Sequence, residues 1–172
     1  MSLTHSAGER EKALQRLKEW ASKATGFIKI TDPYFGLEEL ELIKLIRDEN
    51  PEIKITILTS RENQKEIQQP WDESYGAHWR LKVSDADSGY VQIVVIGKGS
   101  SGGHPIHDRW WLSENSGLRL GTSTNGLGLR LSEISKISDG ELPNMINEVD
   151  KLIFRQVRMI ENENLSHSSF YL

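Results

Sequence analysis

The chain has 172 residues, a length that suits one domain with a hydrophobic core better than two. It contains no cysteine, which excludes disulfide bonds and thiolate metal sites, and its formal net charge of −4 argues against a surface that binds nucleic acid over its whole extent. No apolar segment is long enough for a membrane span, and residues 1–10 are too polar for a signal peptide, so a cytoplasmic domain is expected.

The first third of the chain predicts a helix followed by a strand–helix–strand unit. Apolar residues recur there at helical spacing or alternate as in strands, and Gly, Asn and Pro residues separate the segments. In chain order the predicted elements are a helix over Glu9–Lys23, a strand over Phe27–Thr31, a helix over Leu37–Arg47 and a strand over Ile53–Leu58. This order indicates a right-handed crossover between two parallel strands.

The remainder of the chain predicts two more helices and four more strands, of which the β-branched Tyr90–Ile96 is expected to be central. Trp71–Trp79 is ambiguous, and the glycine-rich Gly97–Gly103 predicts a mobile hairpin or lid, because its spacing is not that of a phosphate-binding P-loop. The fold class is α/β, with a mixed β-sheet flanked by helices. The other predicted elements are helices over Glu62–Gln69 and Leu142–Ile160 and strands over Ile106–Leu112, Leu118–Thr122 and Glu133–Ile137.

These elements divide the chain into three parts. Residues 1–26 are predicted to be a helix that packs on the domain, residues 27–160 to be the α/β domain itself, and residues 161–172 to be a polar, frayed tail. No internal repeat is found, so any chemistry depends on a single copy of each motif.

The residues suited to chemistry lie between His107 and Asn125. Side chains alternate faces along a strand, so His107 and Arg109 are expected to project from the same face. An imidazole can act as a nucleophile or an acid, and a guanidinium can bind two phosphate oxygens at once. Beyond the next strand, Thr122 and Asn125 can donate hydrogen bonds to a phosphate or orient the imidazole. This set predicts a phosphate site.

Simpler interpretations of the same residues stay open. His107 can be a structural histidine, and Arg109 can form a salt bridge with Asp108 or Glu114. Between Lys98 and Lys136 basic residues outnumber acidic ones, which is compatible with a local anion site and equally with a solvated surface.

A metal site is a further alternative. His104 and His107 form an H-x-x-H pair that His78 can join, but the pair lacks the helical i, i+4 spacing of zinc ligands. We therefore expect no metal and no other cofactor.

The spacing from His107 to Asn125 resembles the HKD signature of the phospholipase D superfamily, H-x-K-x4-D-x6-G-S-x-x-N, with every interval kept. Three positions depart from that signature. Arg109 stands in place of the lysine, Glu114 in place of the aspartate and Thr122 in place of the serine.

In that family two motifs meet at an interface, where one histidine attacks phosphorus, the other protonates the leaving oxygen, and no metal takes part. Because this chain carries one motif, the resemblance implies a homodimer in which two copies of His107 face each other. The implied catalytic residues are His107, Arg109 and Glu114, and the implied phosphate-binding residues are Arg109, Thr122, Ser123 and Asn125.

Three shorter strings, Asp32-Pro33-Tyr34, Leu58-Thr59-Ser60 and Ile106-His107-Asp108-Arg109, are similar in order to the C-terminal phospholipase D-like domain of MIT-domain proteins, regarded as a non-catalytic membrane or phosphoinositide binder. The resemblances imply a phospholipase D-like domain over residues 27–160 that binds phosphate or phosphodiester groups of nucleic acid or phospholipid head groups. Its degenerate motif implies no activity or a weak one. The alternative is a metal-independent phosphodiesterase, a nuclease or phospholipase, that works as a homodimer through a phosphohistidine. A structural, partner-binding domain is the third hypothesis.

Overall fold

The computed structural model describes residues 3–99, 102–121 and 134–172. Within these ranges the chain forms four α-helices and eight strands, with short 3₁₀ and π turns between some of them. The helices are α1 (Leu3–Lys23), α2 (Leu40–Glu49), α3 (Trp71–His78) and α4 (Leu142–Ile153). The strands are β1 (Phe27–Thr31), β2 (Lys54–Ser60), β3 (Val91–Lys98), β4 (Trp110–Ser113), β5 (Gly117–Leu120), β6 (Ile134–Lys136), β7 (Met159–Ile160) and β8 (Glu163–Tyr171).

The described strands form a mixed sheet in the order β6-β5-β4-β1-β2-β3-β8-β7. Strand β2 runs parallel to both β1 and β3, whereas the other neighbouring pairs are antiparallel. Ile30 pairs with Ile57, and Ile57 with Ile93, so apolar residues line up across the three parallel strands. The predicted α/β class with a mixed sheet is therefore confirmed.

Helices cover both faces of the sheet, and each face has its own apolar cluster. On the first face α1, α2 and α3 contribute buried residues such as Leu17, Ile43 and Tyr75. On the second face α4 contributes residues such as Val149, which cluster with Leu58 of β2. Each fully buried Leu or Ile contributes roughly 1.5–3 kcal/mol by leaving water. The two clusters thus hold the sheet between the helices.

The prediction of a frayed tail over residues 161–172 was wrong, because Glu163–Tyr171 forms β8 and pairs antiparallel with β3. Strand β3 is apolar and buried on both faces, so its backbone needs a hydrogen-bonded neighbour at each edge. Backbone groups make these bonds, and a polar sequence can therefore supply the partner strand. The prediction of a central strand over Tyr90–Ile96 is confirmed, since β3 lies between β2 and β8.

The closing helix is also shorter than predicted. Helix α4 ends at Ile153 rather than Ile160, and two residues later Arg155 adopts a left-handed backbone with a φ of 58°. Val157 and Ile160, which extended the apolar pattern in the sequence, instead line a cavity beside α4. Apolar periodicity does not detect a left-handed residue, and the helix was therefore predicted too long.

Two other predicted elements differ from the structure. The predicted helix over Glu62–Gln69 is replaced by a 3₁₀ turn over Arg61–Gln64. The predicted strand over Ile106–Leu112 becomes regular only at Trp110, because the carbonyl of Asp108 accepts a hydrogen bond of 3.0 Å from the side-chain Oγ1 of Thr31 rather than from a backbone N–H of β1.

The pairing of β8 with β3 makes a testable prediction. We expect Phe170→Ala to lower the free energy of unfolding by about 2 kcal/mol and Tyr171→Ala by less than about 1 kcal/mol. Phe170 packs edge-to-face on the buried Tyr75, with ring centroids 5.1 Å apart, whereas Tyr171 is 58% exposed. Urea denaturation followed by circular dichroism measures both losses. Equal losses, or no loss in either variant, would contradict this register.

Candidate functional site

The motif lies at the edge of the sheet where the parallel strands β1 and β2 end. Strand β4 runs antiparallel to β1, so its first residue, Trp110, pairs with Thr31 at the end of β1. Ligands of open α/β sheets bind outside the carboxyl ends of the strands. The polar residues at this edge include Asp32, Tyr34, Ser60, His104, His107 and Arg109.

Arg109 is held against an aromatic ring at this edge. Its Cζ lies 5.3 Å from the centroid of the Tyr34 ring, which is a cation–π contact. Its Nε is buried and has no hydrogen-bond partner among the described residues. Within the described part of the chain, Arg109 also forms none of the ion pairs with Asp108 or Glu114 that the simpler interpretation required.

His104 contacts the same ring. The centroids of Tyr34 and His104 are 4.6 Å apart at an interplanar angle of 63°, and His104 Nδ1 lies 2.6 Å from Ser60 Oγ. Ser60 ends β2 and is fully buried, so this contact anchors one edge of the imidazole to the sheet. The sequence pattern indicated His104 only as a candidate zinc ligand and did not predict this arrangement. The available signal was a serine at the end of a predicted parallel strand.

His107 is exposed and stands at the mouth of a cavity of about 400 Å³. An exposed imidazole does not fit the interpretation of His107 as a structural histidine. The walls of the cavity are mostly apolar and come from β4, from the segment before it and from α4 and the segment after it; they include Pro105, Ile106, Trp110, Val149, Leu152, Val157 and Ile160.

His107 and Arg109 both act electrostatically on His104. Burial lowers the pKa of His104, the charge of Glu62 raises it, the charges of His107 and Arg109 lower it, and the charge of Asp32 raises it. Burial is the largest of these effects. The site therefore favours a neutral His104 imidazole beside a permanent positive charge on Arg109.

A second perturbed group lies within electrostatic range of Asp32. Glu39 is buried; its Oε1 accepts a hydrogen bond of 3.2 Å from the backbone N–H of Gly36, and its Oε2 has no hydrogen-bond partner in the described ranges. Burial, assisted by the charge of Asp32, raises the pKa of Glu39 to about 7. This carboxyl group therefore gains or loses its proton near neutral pH.

The structure does not bring Glu114 together with His107 and Arg109. Glu114 follows the last residue of β4, and its backbone N–H donates a hydrogen bond of 3.1 Å to the carbonyl of Thr25, before β1 begins. Five residues of extended chain separate it from Arg109, which corresponds to roughly 16 Å. Glu114 thus lies at the opposite edge of the sheet from the other two motif residues.

The position of Glu114 leads to a prediction about Gly26. Gly26 has a φ of +75°, and a Cβ added there would overlap the carboxylate of Glu114. We expect Gly26→Ala to lower the free energy of unfolding by about 1–2 kcal/mol, measured by urea denaturation. Adding Glu114→Ser should restore part of the loss, because it removes the carboxylate but leaves the backbone strain and a tight Cβ contact of 3.0 Å. Full restoration, or none, would show that only one of the two effects operates.

Three motif residues, Thr122, Ser123 and Asn125, lie outside the described residues. In the described ranges no group of three His, Asp or Glu side chains is arranged to hold a metal ion, so His78, His104 and His107 do not form a three-ligand site there.

No protein-family model matches the chain, and a search of curated proteins finds no significant similarity. None of the helices in the described ranges is both long and apolar enough to cross a lipid bilayer.

Proposed function

We propose that the chain is a phospholipase D-like domain that binds phosphate or phosphodiester groups, carried by nucleic acid or by phospholipid head groups, at the edge of the sheet defined by Tyr34, His104, His107 and Arg109. The domain is non-catalytic or weakly active.

The observation that carries the proposal is the set of contacts made by the Arg109 guanidinium. Its guanidinium is fixed on the Tyr34 ring, and its buried Nε lacks a hydrogen-bond partner within the described residues. A buried donor without a partner costs about 1–3 kcal/mol, so an incoming acceptor is favoured. Guanidinium remains charged at all physiological pH values and its planar fork matches two oxygens of a phosphate. An oxyanion of this kind would neutralise the charge of the guanidinium.

The carboxylates of Glu62 and Asp32 at this edge accept hydrogen bonds from backbone N–H groups. Glu62 Oε1 lies 2.8 Å from Lys65 Nζ, and its Oε2 accepts a hydrogen bond of 3.2 Å from the backbone N–H of Gly103. Asp32 Oδ1 accepts a hydrogen bond of 2.8 Å from the backbone N–H of Tyr34. Arg109 forms no salt bridge within the described part of the chain, and a bound anion can supply a counterion for its positive charge.

Two features support weak or absent catalysis. Arg109 occupies the position of the lysine in the resembling signature, and the two side chains differ in shape and hydration. Glu114, at the position of the aspartate, lies at the opposite edge of the sheet, where it cannot orient His107.

Binding is tested with dimethyl phosphate, which carries a single negative charge throughout the neutral range. We expect backbone amide NMR shifts to change mainly around Tyr34, His104 and Arg109, in proportion to occupancy. Parallel titrations with single-stranded DNA and with anionic phospholipid vesicles distinguish the two sources of the group. Shifts that avoid this edge, or no response to any of the three probes, would refute the proposal.

The exposed position of His107 favours a second candidate, hydrolysis by two copies of the chain. An accessible imidazole can meet its copy across a two-fold axis, as the phosphohistidine mechanism requires. In this case the protein cleaves bis(4-nitrophenyl) phosphate in the presence of EDTA, and His107→Ala abolishes the cleavage. Binding without turnover in this assay supports the non-catalytic function instead.

A further inference from the structure

The hydrogen bonds of Ser60 determine which nitrogen of His104 carries the proton. Ser60 Oγ donates to the carbonyl of Pro33 at 2.6 Å, and it accepts a longer bond of 3.4 Å from the backbone N–H of Asn63. It also lies 2.6 Å from His104 Nδ1. A hydroxyl has one hydrogen, and the carbonyl of Pro33 can only accept, so that hydrogen is committed to Pro33.

His104 must therefore donate through Nδ1–H to Ser60 Oγ. In the opposite arrangement the Ser60 hydrogen would point at Nδ1, and two lone-pair oxygens, those of Ser60 and Pro33, would face each other at 2.6 Å without a hydrogen. A neutral imidazole protonated at Nδ1 has its lone pair on Nε2. The anchoring by Ser60 thus leaves His104 Nε2 as a proton acceptor, and Nε2 has no hydrogen bond within the described ranges.

The groups around His104 make this acceptor sensitive to a bound anion. The charged and titratable groups that act on it are Glu62, His107, Arg109 and Asp32, and the Tyr34 ring contacts it directly. Burial lowers the pKa of His104, which favours the neutral ring in the free protein. A phosphate bound to Arg109 would add a negative charge close to the imidazole, and an added negative charge favours the imidazolium form.

We propose that His104 is a second phosphate-contacting histidine on the same chain, and that it takes up a proton at Nε2 when a phosphate group binds beside Arg109. The inference rests on the proposed phosphate site and gives His104 a specific role within it. The proton comes from solvent, and the new Nε2–H donates to a phosphate oxygen while Nδ1–H stays on Ser60. No other bond forms or breaks.

The proposal predicts the direction of the pH dependence. The complex holds one more proton than the free protein, so affinity rises as the pH falls through the pKa of His104 in the complex. Suppose that binding raises the pKa of His104 by about one unit. Dimethyl phosphate then binds about tenfold more tightly below the pKa of His104 in the free protein than above its pKa in the complex. Titrations at pH 5.5 and at pH 8 test for this increase in affinity, and the charge of the probe is the same at both.

The experiment combines NMR with calorimetry on the full chain. ¹⁵N shifts of the imidazole nitrogens report the tautomer and the pKa of His104, with and without dimethyl phosphate. Calorimetry in buffers of different ionisation enthalpy counts the protons taken up. His104→Asn keeps a donor for Ser60 but removes the titrating nitrogen, and Ser60→Ala removes the anchor. His78→Asn, on α3, is the matched control.

We expect the free wild-type protein to show the Nδ1–H tautomer, and binding near pH 7 to take up a proton. His104→Asn should abolish most of the pH dependence, and His78→Asn should preserve it. The opposite tautomer in the free protein, or unchanged pH dependence in His104→Asn with loss in His107→Asn, would overturn the inference while leaving the phosphate site intact. Absence of binding at both pH values would overturn the site as well. The tautomer is measured on the wild type, so a folding defect in Ser60→Ala does not affect that test.

Discussion

Arg109→Gln weakens the binding of dimethyl phosphate about 10- to 100-fold. A hydrogen bond between a charged donor and an anion contributes about 1.5–3 kcal/mol, and glutamine supplies neither the charge nor the planar fork. The loss should be large because the guanidinium is already fixed on the Tyr34 ring before ligand binds, so little conformational entropy is lost on binding. The affinity is measured by NMR titration at one fixed salt concentration.

Two further variants separate the effect of the planar guanidinium of Arg109 from the effect of its positive charge. Arg80→Gln makes the same change in net charge at an exposed position in the turn after α3 and should leave the affinity within about twofold. Arg109→Lys keeps the charge but loses the fork, and we expect an affinity between those of the wild type and Arg109→Gln. If Arg80→Gln and Arg109→Gln weaken binding equally, the effect is one of net charge and the site lies elsewhere.

The elements that the sequence predicted well are those with a strong apolar pattern. Strand β1 was predicted with its observed ends, and the strand–helix–strand order did produce parallel strands with a helix between them. Such segments are apolar because tertiary burial requires it, so local pattern and global fold agree. Strand β8, by contrast, lacks a strong apolar pattern. Its serines pair through their backbone, and its position beside β3 depends on an unfilled sheet edge that no local pattern reports.

In the candidate site, too, some residues could be predicted from the sequence, and others depend on the arrangement of the sheet. The motif spacing predicted Arg109 and His107 as candidate site residues, and both lie at the edge where the parallel strands end. The residues that hold Arg109 and His104 in place, Tyr34 and Ser60, come from separate strand ends far away in the chain, and only the register of the sheet brings them together. Glu114 fits the motif spacing but lies outside the site. It follows the last residue of β4, at the opposite end of that strand from Arg109.

Glu39→Gln should stabilise the protein at pH 8 by about 3 kcal/mol relative to the wild type and have little effect at pH 4.5. Burial raises the pKa of Glu39 from 4.5 to about 7, so the folded state holds its proton more tightly than the unfolded state. Stability from this group is fully present below about pH 4.5 and is lost as the pH rises towards 7. Glutamine has the shape of the protonated acid and keeps the acceptor for Gly36, but it never ionises.

Urea denaturation of both proteins between pH 4.5 and 8 measures the difference, which should grow with pH across this window. Glu41→Gln, on the exposed side of α2, removes the same charge without changing a buried group and should give a difference that is small and independent of pH. Asp32→Asn should move the pH range over which this stability difference grows to lower values, because the charge of Asp32 is one cause of the raised pKa of Glu39. If the difference in the free energy of unfolding between Glu39→Gln and the wild type does not change with pH, Glu39 has an ordinary pKa. In that case its carboxylate is reached by water, and the interior between α2 and the end of β1 is less closed than the packing around Glu39 indicates.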